Sequence, residues 1–421
     1  MQEYIEEINT CEIGLQLLEK IRNIHKDQRL CGEPGNVLLD AHDDLLLYIL
    51  ALLRGDAHFL PELSLEVLPE ISIDEWKKLL KVLRCHQIIP LLYYKTCNFP
   101  PEFHPPGEIR DQMRTAFLIS RIQSLKIERQ LNDIISIFNR KGIDVIVLKG
   151  PALALSIYPD PAARPYGDLD LLVREEDFIT ASGLLEEIGY KSKISKFGHL
   201  KDFNCEEVFT HQRDPDKNIM VELHWDLHKF AGHKDKLNLK ELFRRSIQFE
   251  TPSVSFKVLD PVDTIIACVL HMTLTHSNDI RLLSVYDIAL LLQKIKDKHT
   301  WQILLERSVE LNARTGLEKT IKMAQLWTGL NLPADFIDFH KWPAASDGEI
   351  RTVSNATQRH DKPLRTYFKL YLTGTSGPLQ KAGYIFRLVF PRTDHIRASY
   401  PPSRNWLLPL SYIKRWLKWI K

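Results

Sequence analysis

The chain has 421 residues, 44% of them hydrophobic and 26% charged, a globular composition long enough for two or three domains. Its longest apolar run, Leu45 to Leu53, reaches about half of the roughly 20 residues that a bilayer span requires. With 56 lysines and arginines against 54 acids the net charge is +2, too balanced for a general nucleic-acid coat, so no stable nucleic-acid binding is expected.

The first residues, Met1-Gln-Glu-Tyr-Ile-Glu-Glu7, are acidic and show no apolar signal-peptide segment. Cys11, Cys31, Cys85, Cys97, Cys205 and Cys268 form no C-x-x-C pair and are read as reduced thiols of a cytoplasmic protein. Helical periodicity runs from about residue 10 to 140. Within it, Ser72-Ile-Asp-Glu75 reads as a capping box opening a helix that buries Trp76, Leu79, Leu80 and Leu83. Prolines and Gly107 between Pro100 and Gly107 mark a boundary. A long amphipathic helix follows, with Leu118, Ile122, Leu125, Leu131, Ile134 and Phe138 as its expected buried stripe.

At Gly142 the texture changes. Ile143 to Leu148 and Leu169 to Val173 are short β-branched or apolar runs and read as buried strands, with a short helix over 152–158 between them. Glu175 to Gly189 reads as a helix. Met220 to Trp225 alternates as a strand, with Val221, Leu223 and Trp225 on one face and Glu222 and His224 on the other. Helical patterns return after Asp263, and residues 341–365 read as a loop. The alternation implies an α+β or α/β core. The expected organisation is an N-terminal helical region (1–108), an α/β catalytic core (109–258) and a C-terminal helical region (259–421) ending in a basic amphipathic tail. From residue 381 onward nine lysines and arginines face one acid, Asp394. A stripe of Leu410, Ile413, Trp416, Leu417 and Ile420 suits docking on the helical region with lysines outward, or peripheral contact with an anionic membrane.

The chemistry concentrates at Gly167-Asp168-Leu169-Asp170. Alternation places Asp168 and Asp170 on one side of a strand, where their mutual repulsion is relieved by a divalent cation. A bare D-x-D pair is equally a solvated strand start. Two features sharpen the reading. Lys149-Gly150 lies between a strand end and a helix start, a ready anion site, and Glu222 supplies a third carboxylate on a later strand.

Lys149-Gly150, the stretch from Tyr158 through Arg164, Gly167, Asp168 and Asp170, Glu187-Ile-Gly-Tyr190 and Glu222-Leu-His224-Trp225 together resemble bacterial nucleotidyltransferases of the DNA polymerase beta superfamily. The nearer likeness is a branch found in natural-product and polysaccharide gene clusters. Some relatives sit in lasso-peptide clusters, where phosphate-group transfer to a peptide is the reported type of activity. The resemblance implies a polymerase-beta-like mixed sheet flanked by helical regions, with Asp168, Asp170 and Glu222 as catalytic acids and Mg²⁺ (or Mn²⁺) ligands. It also implies an NTP substrate, ATP first, and an acceptor that is a small molecule, sugar or peptide. A looser likeness extends to Asp74-Glu-Trp76, His86, His271, His276, Arg281 and Asp287. One departure stands out: the superfamily usually carries Gly-Ser or Gly-Gly where this chain has Lys149-Gly150.

Each candidate also has a plainer reading. Lys149 grips phosphate or is a solvated lysine. Arg164 orders phosphate or pairs with an acid of its own loop. Gly150 and Gly167 let substrate approach the backbone. His224 orients Glu222 or the acceptor, or simply packs. His271 and His276 lie five apart, about 140° around a helix, so they share no metal-binding face. Asp287 is an acceptor-site acid or an acid at a helix start. Nucleotidyl transfer is the leading expectation; phosphoryl transfer from the same site, and an inactive nucleotide-binding scaffold, are the alternatives.

Overall fold

The computed structural model describes residues 43–55, 71–192, 204–211, 219–227, 237–251, 255–275, 280–357, 378–391 and 407–420, with residues 393, 396–397 and 400. The fold is α+β. Seven strands form one mixed sheet in the order β3-β4-β5-β2-β1-β7-β6. They are β1 (Val145–Leu148), β2 (Asp168–Val173), β3 (Tyr190–Ser192), β4 (Glu206–His211), β5 (Met220–His224), β6 (Ile247–Glu250) and β7 (Ser255–Val258). At the centre β2 pairs antiparallel with β1 and parallel with β5, in a register that sets Asp170 opposite Glu222 and Leu172 opposite His224.

The two faces of the sheet follow from strand alternation. One face presents Val145, Val147, Leu169, Leu171, Val173, Phe209, Val221, Leu223 and Trp225 to a helical layer. That layer consists of the second half of α4 (Gly107–Arg140), through Ile127, Leu131, Ile134 and Phe138, and of α6 (Phe178–Glu187), through Phe178, Ala181, Leu184 and Leu185. The other face carries a smaller apolar cluster of Ile146, Leu148, Leu172 and Leu259 with Leu242 and Phe243 of α7 (Leu239–Arg245). The acids of β2 and β5 lie on this second face.

The remaining helices build the largest core. α1 (Asp43–Arg54), α2 (Ile73–Cys85) and α3 (Ile89–Thr96) share it with α8 (Pro261–Leu270), α9 (Leu282–Gln293), α10 (Lys298–Glu310) and α11 (Arg314–Thr328). His86 joins the two sets: its Nδ1 accepts from the Leu282 amide at 3.3 Å and its carbonyl from the Leu283 amide at 3.4 Å. The Ser72–Glu75 capping box is formed, with both reciprocal bonds, and Trp76, Leu79, Leu80 and Leu83 of α2 are buried.

Three expectations need correction. In the first half of α4 the buried face is Ile109, Met113, Phe117, Ser120 and Ser124, while Leu118, Ile122 and Leu125 are exposed. The helix packs against the turn around Ala162 and Ala163, and its buried face takes in Ser120 and Ser124. The stretch read as a loop contains α12 (Asp347–Thr357), tied in by Glu349, which accepts from the Thr315 amide, and by Val353 and Ala356, which pack on the helical core. In the tail, α14 (Leu408–Ile420) packs on α13 (Pro378–Val389) and the residues that follow it through Tyr412 and Trp416, which donate to the Pro391 and Val389 carbonyls at 2.6 and 2.9 Å. Of the expected stripe Trp416 docks, while Leu410, Ile413 and Leu417 are exposed. The Ile420 side chain and residues Trp406 and Lys421 lie outside the described positions. No described helix is long and apolar enough to cross a membrane.

Candidate active site

β1 ends at Leu148 and the chain turns at once into α5 (Lys149–Ile157). Lys149 takes a left-handed backbone (φ +40°), a conformation that disfavours a residue with a Cβ. The turn brings its Nζ to 3.4 Å from Asp170 Oδ1. Gly150 lies beside the start of β2: a Cβ there would make ordinary contact, 3.4 Å from Tyr166 Cβ and 3.5 Å from the Asp168 carbonyl oxygen. Gly167 is exposed at the start of β2.

Asp168 and Asp170 share a face, as alternation requires, but not an environment. Asp168 is half-buried and Asp170 is 3% exposed. Asp170 Oδ1 faces Lys149 and also His224 Nε2 at 2.9 Å. Glu222 Oε2 lies 3.8 Å from His224 Nε2, and Glu206 Oε2 lies 3.6 Å from His224 Nδ1. Ligand atoms of Asp170, Glu222 and His224 all fall within 4.8 Å of one another.

The electrostatics describe a cluster with too much negative charge. Burial opposes the charge of Asp170, yet Lys149 and His224 outweigh it and hold the carboxyl well below the usual range. Burial and then Asp170 push Asp168 up. Burial, followed by Asp170 and Glu206, pushes Glu222 up to about 7. Burial would lower His224, but its hydrogen bond to Asp170 and its contact with Cys205 carry it up to about 10. Lys149 is likewise held protonated against burial by Asp170, Glu222 and Glu206. Asp170 keeps its charge, while Asp168, Glu222, His224 and Lys149 are all shifted towards holding a proton.

Two cavities meet over the cluster. The larger, about 300 Å³, lies beside Glu206, Glu222 and His224, with Leu227, Phe249 and Leu291 among its apolar walls. The smaller, about 170 Å³, is lined by Gly150, Gly167, Asp168, Asp170 and Arg281. Lys149, Leu153, Cys268 and His271 line both.

Arg164 is buried, and its acid partner is not in its own loop. Its Nε and Nη2 fork onto Asp287 of α9 at 2.9 and 2.8 Å, and Nη1 donates to the Gly150 carbonyl at 3.3 Å. Tyr158 adds its hydroxyl to Asp287 at 2.7 Å. Asp287 thus lies inside α9 rather than at its start. His271 opens a π-helical turn that ends α8. His276 and much of the 191–220 stretch lie outside the described residues.

Sequence reasoning missed Glu206 and the position of Cys205. The signal was weak: Glu206-Glu-Val-Phe-Thr-His211 carries charge at both ends, and only Val208 and Phe209 suggest a strand. Pairing of Glu206 with His224 across β4 and β5 brings this carboxylate into the site.

The profile of an uncharacterised nucleotidyltransferase family matches residues 72–329. The chain belongs to this family. The match starts at the Ser72 cap and ends at Gly329, the left-handed residue that closes α11, so it covers the seven strands and the helices from α2 to α11, while α1 lies outside it. Among solved structures, an antigenic nucleotidyltransferase-like protein from Paracoccidioides brasiliensis is similar at 17% identity, covering 48% of this chain and 94% of that one, with a TM-score of 0.32. No curated protein matches the chain.

Proposed function

We propose that the chain is a divalent-metal-dependent nucleotidyltransferase that moves a nucleoside monophosphate from an NTP, ATP first, to the nucleophile of an acceptor and releases pyrophosphate. The observation that carries this is the β2–β5 register, which sets Asp170 opposite Glu222, with Asp168 on the same face, beneath two adjoining cavities. The donor set fits Mg²⁺ (or Mn²⁺): Asp168, Asp170 and Glu222 offer hard oxygens, and the raised Asp168 and Glu222 indicate charge that a cation would offset. When bound, such an ion neutralises phosphate charge and activates the attacking oxygen.

The chain's own residues do the rest. Lys149, the cation between the cavities, is placed to meet phosphate as a point charge. Gly150 lets the N-terminus of α5 approach phosphate closely, and Gly167 keeps the mouth of the smaller cavity open. His224 holds Asp170 in place. Arg164 is a positioning residue that ties Gly150 to α9. The smaller cavity, with Lys149 and Arg281, is the triphosphate side; the larger, apolar one is the acceptor side. Holding both reactants for in-line attack and neutralising charge would supply the rate enhancement. The acceptor class is a small molecule, sugar or peptide. Mg²⁺ with ATP labelled at either the α or the γ phosphorus tests the reading. Label from the α position in the acceptor, with pyrophosphate released, is expected. Label only from the γ position would mean phosphoryl transfer instead.

A further inference from the structure

We propose that Cys205, Glu206 and His224 form a second metal site, for a thiophilic divalent cation of the zinc class, distinct from the oxygen-ligand group of Asp168, Asp170 and Glu222. The proposal does not depend on which group the enzyme transfers. Cys205 directly precedes β4, Glu206 opens it, and β4–β5 register sets Glu206 opposite His224. One ligand atom from each of the three residues falls within 4.8 Å of the others. Cys205 Sγ and His224 Nδ1 each lie 3.6 Å from Glu206 Oε2. Tetrahedral bonds of about 2.0–2.3 Å place ligand atoms roughly 3.3–3.6 Å apart, so little movement is needed to close around an ion.

The deciding group is the imidazole. His224 is 2% exposed, its Nε2 faces Asp170 at 2.9 Å, and its Nδ1 has no partner at ordinary hydrogen-bond geometry, turning towards the Cys205 sulfur and Glu206 Oε2 at 3.6 Å. A ring with one nitrogen on a carboxylate and the other turned towards a thiol and a second carboxylate is the carboxylate–histidine–metal arrangement. A thiol donating to Glu206 leaves Nδ1 facing the Cys205 sulfur and Glu206 Oε2, the two atoms it would share an ion with. The donor set also separates the two sites. Sulfur and imidazole suit zinc, whereas magnesium takes oxygen. Binding would displace the Cys205 thiol proton and the proton on Nδ1, leaving Nε2–H directed at Asp170; the ion's two charges offset the thiolate and Glu206. All three ligands line the larger cavity, so a fourth position opens towards whatever occupies it.

Cobalt is the probe. The full chain, freed of metal, is titrated with Co²⁺ and the thiolate-to-cobalt charge-transfer absorption is followed. A band that saturates at one ion per chain, disappears on adding Zn²⁺ and survives excess Mg²⁺ is expected. Cys205→Ser should abolish it. Glu206→Gln should weaken cobalt binding about tenfold or more, and Asp168→Asn should leave the band intact. Circular dichroism checks that each variant is folded; if Cys205→Ser is not, the Glu206→Gln affinity decides. No band in the wild type, a band that survives Cys205→Ser, displacement by Mg²⁺, or unchanged affinity in Glu206→Gln would overturn the site.

Discussion

Asp170 is the most committed side chain in the molecule, since burial, Lys149 and His224 all depend on its charge. Asp168, half-buried at the strand start, is freer. Both Asp168→Asn and Asp170→Asn should reduce transfer by at least about a hundredfold, but only Asp170→Asn should also lower the melting temperature, because it leaves Lys149 and His224 without their partner. Melting and turnover measured on both variants separate the two roles. The Arg164–Asp287 fork makes a different demand. Removing one member of a buried pair strands the other, so Arg164→Ala should cost about 3–5 kcal/mol in urea unfolding. Arg164→Met combined with Asp287→Leu should recover most of that loss. Lys95 provides a pH signature away from the site. Burial lowers its pKa from 10.5 to about 8, while its ammonium lies over the Tyr286 ring and donates to the Leu53 carbonyl. The unfolded chain binds this proton more tightly, so the penalty is fully present below about pH 8 and disappears as pH rises towards 10.5. Lys95→Met should therefore stabilise the protein near neutrality, by roughly 1–3 kcal/mol after allowance for partial exposure. The difference from wild type should shrink towards pH 10 in paired unfolding curves; a constant difference would remove the charge from the explanation.

At the scale of elements, α2 is set by its cap. Ser72→Ala removes the bond to the Glu75 amide and should cost about 1 kcal/mol by denaturant unfolding. This helix, β1, β2 and β5 were legible because each states its structure locally: a capping box, two short runs bounded by glycine, one clean alternation. The face of β5 that carries Glu222 and His224 was legible for the same reason. What escaped reading is held by tertiary contacts. β3, β4, β6 and β7 are short and partly polar, and pairing along the sheet, rather than composition, makes them strands. Glu206 went unread with β4. α12 turns Val353 and Ala356 to the core beside a buried Glu349 and Thr352, too polar a face to read as a stripe. Periodicity placed a stripe on α4 one position away from the buried one, Leu118 instead of Phe117 and Leu125 instead of Ser124, because apolarity does not reveal a buried face that takes in serines. The partner of Arg164 lies 123 residues away and could not be read from its own loop.

For the molecule as a whole, helices from both ends of the chain share one core, with Trp76 of α2 and Trp327 of α11 both buried in it. They should unfold together. Variants in which the other seven tryptophans are replaced by phenylalanine, leaving either Trp76 or Trp327 as the single reporter, should give the same midpoint in denaturant; separate midpoints would mean that the two sets of helices fold independently. The cleft lies where this core meets the sheet. Asp168 and Asp170 rise from β2 and Lys149 from the turn into α5, while Met272, Ile280 and Leu283 opposite them belong to the helical core. Across the smaller cavity, the buried fork from Arg164 to Asp287 spans the same join. A ligand seated there works as a fastener, stitching together two bodies that otherwise meet along a seam. Its grip then depends on how far the seam opens as well as on the groups it touches, so loosening the join with a distant core substitution would weaken the hold on substrate without altering a single contact to it.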